Sequence, residues 1–158
     1  MTHIIEGVAE AIARYLEANG LPRQIVCAPE LEGIDWESAG IGASARPVLP
    51  EDPVGVTACF CAIAETGTIA LVWDDRSHPD LSLLPETHIA IVRSDSIVLQ
   101  IEEAFDAIRS AYGSPFPRVH FVSGPSRTAD IEQTLVIGAH GPKRFHLVII
   151  GARHDDPV

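Results

Sequence analysis

The sequence predicts an α/β fold, an open and mostly parallel sheet with helices on both faces. Three observations carry this expectation. Gly55 to Ile63 (GVTACFCAI) is small and apolar with no polar face, as in a strand covered on both sides. Ile101, Phe105, Ile108 and Tyr112 recur at three- and four-residue spacing and stop at Gly113, which marks an amphipathic helix. Extended runs at His88 to Arg93, Val119 to Val122 and Phe145 to Ile150 alternate with helical spacing. Strand–helix–strand–helix–strand implies parallel pairing through right-handed crossovers, three layers deep.

The remaining elements follow in chain order. Ile5, Val8, Ile12, Tyr15 and Leu16 share one helical face, closed by Gly20 and Pro22. Gln24 to Ala28 is a short β-branched run and the first strand. Pro29 to Pro53 reads as loop with a helical turn, and it contains Trp36. The Gly55–Ile63 run and Ile69 to Trp73 form two strands joined at Thr66-Gly67. Asp74 to Leu84 reads as a polar loop. After Val119 to Val122, the turn Ser123-Gly124-Pro125-Ser126 leads into a helix from about Thr128 to Ile137.

Length and composition bound the function. The 158 residues suit a single domain spanning 1–158, and 46% hydrophobic residues suit a folded core. No apolar run approaches a membrane span, and Met1-Thr2-His3 leads directly into a helix without signal-peptide architecture. Eleven basic residues against 22 acidic ones give a net charge of −11, which disfavours nucleic acid and anionic membranes as partners. Three cysteines, an odd number, fit a reduced cytoplasmic protein.

The residues suited to site chemistry concentrate between Val119 and Pro142. Ser126 or Thr128 can cap a helix, and Asp130 and Glu132 suit its positive end. Arg127 is a cation where the helix dipole disfavours one, which a bound anion would explain. Cap and anion site both fit these residues. Glu65, in Ala64-Glu65-Thr66-Gly67-Thr68, lies just beyond a buried strand and suits a general base or nucleophile, or else an exposed turn residue. His140, before Gly141-Pro142, could present an imidazole to the same cleft or serve structurally, and the same holds for His88 and His146.

Cys59 and Cys61 alternate onto one strand face as core thiols rather than ligands. Asp74, Asp75, His78 and Asp80 read as a solvated loop, so no metal site is expected. A hydrolase elbow is not met, because Thr128 stands where G-x-S-x-G needs a second glycine.

The run Val122-Ser123-Gly124-Pro125-Ser126-Arg127-Thr128-Ala129-Asp130-Ile131-Glu132, followed by Gly138-Ala139-His140-Gly141-Pro142, resembles the signature of the LutC/YkgG-type lactate-utilisation proteins, the LUD domain family. Ala64 to Thr68 and Leu84-Pro85-Glu86-Thr87-His88-Ile89 match that family's pattern in the same order, so the resemblance covers most of Val54 to Ile150. It implies a fold like that of ribose-phosphate isomerase, glucosamine-phosphate deaminase and CoA transferases.

The resemblance also implies a role in oxidising L-lactate to pyruvate beside two partners, iron–sulfur and cysteine-rich subunits. No cofactor is expected on this chain, since no cysteine set here could ligate a cluster. Family members usually carry a longer helical N-terminal segment, which is absent from this sequence.

Three functional expectations follow. In the first, a small 2-hydroxy or 2-oxo carboxylate binds at Ser123, Gly124, Ser126, Arg127, Thr128, Asp130 and Glu132, with Thr66, Gly67, Thr68 and Gly141 alongside. Glu65 or His140 then lies near the reacting carbon. In the second, the chain is a non-catalytic assembly module for an iron–sulfur partner. In the third, it is a sugar-phosphate isomerase or CoA-transferase-like enzyme, by fold analogy alone.

Overall fold

The computed structural model describes residues 7–73, 79–125, 127–129, 135–137 and 141–151. The first helix, α1 (Val8–Ala18), buries Val8, Ala9, Ile12, Ala13 and Leu16 on one face. It stops where the sequence provides a left-handed residue, Gly20 at φ +62°. There Leu21 N–H reaches back to Leu16 O at 2.8 Å and Gly20 N–H to Glu17 O at 3.1 Å, which satisfies the last helical carbonyls.

Five strands follow the α/β expectation. β1 (Gln24–Cys27), β2 (Gly42–Ser44), β3 (Val54–Ala58), β6 (Thr87–Arg93) and β11 (Arg144–Ile150) form one all-parallel sheet in the order β11-β6-β3-β1-β2. Along β6 the side chains alternate between two cores. Ile89 and Ile91 join Ile12, Leu16, Val54 and Val56 under α1, while Ala90 and Val92 face the other way.

That other face meets a second sheet. It is built from β4 (Cys61–Ile63), β5 (Thr68–Trp73), β7 (Ile97–Val98) and β8 (Arg118–Val122), in the order β7-β4-β5-β8. Ile69, Leu71 and Val122 pack on Ala90 and Val92. The outer face of this sheet is covered by α3 (Ile101–Tyr112), whose Ala104 and Ile108 pack on Cys61, Ile63 and Ala70. The layers therefore run helix, sheet, sheet, helix. A short helix, α2 (Asp80–Leu83), lies near β3 and β6.

Several expectations are corrected. Gly55 to Ile63 is two strands, not one. Cys59 N–H still donates to Ile91 O of β6 at 3.0 Å, but Phe60 N–H donates to Ala70 O of β5 at 2.9 Å, so the chain changes sheets between them. Cys59 and Cys61 consequently pack in different cores rather than on one face. β8 pairs antiparallel with β5 and does not continue the parallel sheet. The loop before β3 contributes the edge strand β2, and the Asp74–Leu84 segment contains α2. Residues 74–78 of that segment, with Asp74, Asp75 and His78, lie outside the described residues.

The expected helix from Thr128 to Ile137 is also corrected. β9 (Arg127–Ala129) and β10 (Leu135–Ile137) pair antiparallel, with Arg127 opposite Ile137 and Ala129 opposite Leu135. Thr128, Val136 and Ile137 are β-branched, which favours extended backbone over helix.

The strand order fixes where the parallel sheet opens. From β1 the chain goes to β2 on one side, and β3, β6 and β11 then build out on the other. The crevice beyond the carboxyl ends of β1 and β3 is thus the point at which strand order reverses, the usual ligand position in such sheets. A cavity of about 220 Å3 lies there, reached by Cys27, Ala28, Thr57 and Ala58.

Gly55 sets how closely α2 approaches β3. A Cβ at this position would stand 2.3 Å from Leu81 O and 2.9 Å from Pro85 Cγ. Gly55→Ala is expected to destabilise the fold by about 1–3 kcal/mol, read from urea midpoints. Gly33→Ala, with nothing within 4 Å, should leave the midpoint nearly unchanged.

Candidate functional site

The turn at Gly67 (φ +62°) reverses the chain between β4 and β5 and brings Thr66 beside Thr68. Antiparallel pairing of Ile69 with Val122 then sets Thr68 next to Ser123 at the end of β8. Three hydroxyls result in a line: Thr66 Oγ1 to Thr68 Oγ1 at 2.7 Å, and Thr68 Oγ1 to Ser123 Oγ at 2.6 Å. Thr68 is buried, while Thr66 and Ser123 are exposed. Each hydroxyl has one donor, so among the described residues the two bonds of this chain leave one O–H and several lone pairs unengaged.

The two polar turns expected to meet do meet at Thr66, Gly67, Thr68 and Ser123. Gly124 follows at φ +121°, a conformation that favours glycine and lets the chain turn away from β8. Glu65 is exposed; its N–H donates to Leu99 O at 3.1 Å, and no hydrogen bond joins its carboxylate to the three hydroxyls. Gly141 is half-buried in extended backbone (φ +158°), ahead of the paired donation of Lys143 and Arg144 N–H to Glu86 O.

Arg127 and Thr128 lie in β9, so the helix-dipole argument for an anion at Arg127 falls away. Ser126, Asp130, Glu132 and His140 lie outside the described residues. The Ser123 turn is also not at the carboxyl edge of the parallel sheet, because β8 belongs to the second sheet.

A second polar group lies between the sheets. His88 of β6 is fully buried, with Nε2 2.8 Å from Thr57 Oγ1 and its ring tilted on Phe145. Nearby Ser82 Oγ lies 3.3 Å from His120 Nδ1, and His120 meets Trp73 edge-on. Among the described residues His88 Nδ1, Thr87 Oγ1 and Trp73 Nε1 are buried without a partner. Burial, with His120 second, pushes the His88 imidazole down to about 3, so the ring is neutral at physiological pH. Burial likewise lowers His120 and His146, the latter stacked on Tyr15 at 3.8 Å, and raises Cys59 to about 12. Among the described residues no three His, Cys, Asp or Glu side chains converge as a metal site would require.

Sequence reasoning missed the His88–Thr57 pair. A histidine within an otherwise apolar strand and a threonine within an apolar run were visible, but their partnership depends on β3 lying beside β6.

The LUD domain model matches residues 30–150. The chain belongs to the LUD domain family. Its relatives include Lactate utilization protein C 1 of Bacillus mycoides (strain KBAB4), 43% identical over 100 residues, covering 61% of this chain and 43% of that one. Lactate utilization protein C of Bacillus subtilis (strain 168) is 40% identical over 103 residues, covering 63% and 43%.

The crystal structure of a DUF162 family protein from Deinococcus radiodurans superimposes with a TM-score of 0.65 at 26% identity, covering 92% of this chain and 83% of that chain. The α/β fold read from the sequence is thus also that of a solved structure. The chain spans about half the length of the curated relatives it matches. No helix among the described residues is long and apolar enough to cross a membrane.

Two measurements probe these clusters. Thr68→Val removes the buried hydroxyl joining two others and should cost about 1–2 kcal/mol in urea denaturation. Ser123→Ala, at the exposed end, should cost less than about 0.5 kcal/mol.

His88 makes stability pH-dependent. Between its folded value of about 3 and its unfolded value near 6.5, only the unfolded chain takes up the proton, so stability rises with pH. That contribution is complete above about 6.5 and is lost as pH falls toward 3, at up to about 1.4 kcal/mol per unit. Urea midpoints at pH 7, 5.5 and 4.5 should fall less steeply for His88→Gln than for wild type.

Proposed function

We propose that this chain serves in lactate utilisation by binding a small 2-hydroxy or 2-oxo carboxylate at the turn beginning at Ser123. The observation that carries the role is 40–43% identity over about 100 residues to proteins called Lactate utilization protein C. The line of hydroxyls from Thr66 through Thr68 to Ser123 supports the location. Hydroxyl donors suit the carboxylate and the adjoining oxygen of such a ligand. Arg127, four residues beyond Ser123 in the sequence, would supply the cation.

In this reading Glu65 or His140 takes the hydroxyl proton of lactate when it is oxidised. Oxidation to pyruvate releases two electrons and two protons in all, and the electrons would pass to an iron–sulfur partner. Cys59 and Cys61 pack in separate cores and are poorly placed to hold a cluster together.

Calorimetric titration of L-lactate and pyruvate against wild type, Arg127→Ala and Ser123→Ala tests the site. Binding at least tenfold weaker in both variants is expected. Equal binding in all three proteins, or none in wild type, removes the carboxylate from this turn.

A second reading, an assembly module without chemistry of its own, draws on Ile97, Leu99 and Ile101. These three apolar residues are all exposed around the start of α3, where a partner could cover them. Lactate oxidation by the assembled system carrying Glu65→Gln separates the two. Lost activity favours a chemical role for this chain, and full activity favours assembly.

A further inference from the structure

We infer that the cavity at the strand-order reversal is a second binding site, for a short monocarboxylate with an apolar body. It is separate from the Ser123 turn and does not depend on that assignment. Its walls come from the ends of β1 and β3 and the loop after β2: Ala28, Pro29, Ala45, Pro47 and Ala58, with Leu71 from the second sheet. Small and apolar side chains at the carboxyl edge of a parallel sheet leave room for a ligand in place of filling it.

Arg46, half-exposed, also lines the cavity and gives it an N–H donor edge. A guanidinium has five N–H donors, and three of these are engaged. Nη1 donates to Pro47 O at 2.9 Å and to Asp52 Oδ2 at 2.7 Å, and Nη2 donates to Asp52 Oδ1 at 2.7 Å. Asp52 is itself buried and accepts Leu49 N–H at 2.7 Å, so the guanidinium is held by a fixed anchor. The two remaining donors, Nε–H and the second Nη2 N–H, lie on one edge of the plane. Among the described residues neither has a partner. Two parallel N–H groups on one edge are the fork that a carboxylate fills.

Thr57 also lines the cavity, and its hydroxyl is tied to His88. Nδ1 of His88 is buried and unpartnered, and the tautomer protonated on Nε2 leaves a bare lone pair there. In that tautomer Nε2–H donates to Thr57 Oγ1, and the threonine O–H is free to donate to a ligand oxygen.

Size and charge narrow the class further. A cavity of about 220 Å3 falls below the roughly 300–1,000 Å3 of pockets that take drug-sized ligands, which suits a small acid. Glu30 in the lining and the single available fork disfavour a phosphate dianion, and Arg46 disfavours a cation.

The test uses isovalerate and butyrate, acids without a 2-oxygen, against isovaleramide, the uncharged isostere of the first, by calorimetry on the full chain. Both acids are expected to bind wild type, with isovaleramide at least tenfold weaker than isovalerate. Arg46→Lys keeps the cation but loses the fork, and should weaken the acids at least tenfold. Thr57→Val should weaken them about threefold or more. Ala58→Leu, with its fold checked by circular dichroism, should abolish binding by filling the space, and Arg14→Ala, on the exposed side of α1, should leave it unchanged. Equal affinity for isovalerate and isovaleramide, loss of binding in Arg14→Ala, full binding in Arg46→Lys, or no acid bound at millimolar concentration would each overturn the site.

Discussion

The structure depends on β6 being buried on both of its faces. Ile89 and Ile91 close the core under α1, and Ala90 and Val92 close the core between the sheets. Burying each large side chain contributes about 1.5–3 kcal/mol, and the same strand supplies backbone pairing to β3 and β11. The asymmetry of size matters as much as the burial. Alanine at position 90 and glycine at position 55 keep one face of the sheet low, so a second sheet and α2 can approach where bulkier residues would hold them off. The second sheet in turn gives the Ser123 turn its position and closes one side of the cavity with Leu71.

Elements with a single partner surface were readable from the residues. Spacing at Ile101, Phe105, Ile108 and Tyr112 marked α3 from end to end, and Thr66-Gly67 marked the hairpin between β4 and β5. Sheet membership was not readable. The switch at Cys59–Phe60 carries neither glycine nor proline, because the chain only exchanges one strand partner for another. Val119 to Val122 has the same apolar composition whether its neighbour is parallel or antiparallel, so connectivity alone misplaced it. For Leu135 to Ile137, a helical spacing with earlier apolar residues outweighed β-branching, and the structure reverses that choice.

The same distinction applies to the site. Thr66, Thr68 and Ser123 could be named from the sequence as polar residues in turns, and antiparallel pairing unites them. Arg46 could not. Its importance arises from Asp52, six residues away, which takes one edge of the guanidinium and leaves the other open. His88 was equally opaque, since a histidine in an apolar strand gains meaning only when the neighbouring strand presents Thr57.

Both proposed carboxylate sites must work against the charge of the chain. A net charge of −11 repels an anion at long range, and the Arg46–Asp52 pair is neutral as a unit. Long-range attraction therefore cannot gather the ligand, and recognition rests on short, directed donors within the screening distance of about 8 Å at physiological salt. Salt damps the repulsion between the acidic surface and an approaching anion more than it damps a fork held against a buried aspartate. Anion association here should consequently suffer little from added salt, in contrast to sites that collect anions with a field of lysines. An acidic protein can bind a small acid on these terms, provided that the donors are fixed before the ligand arrives, and Asp52 fixes Arg46 in that way.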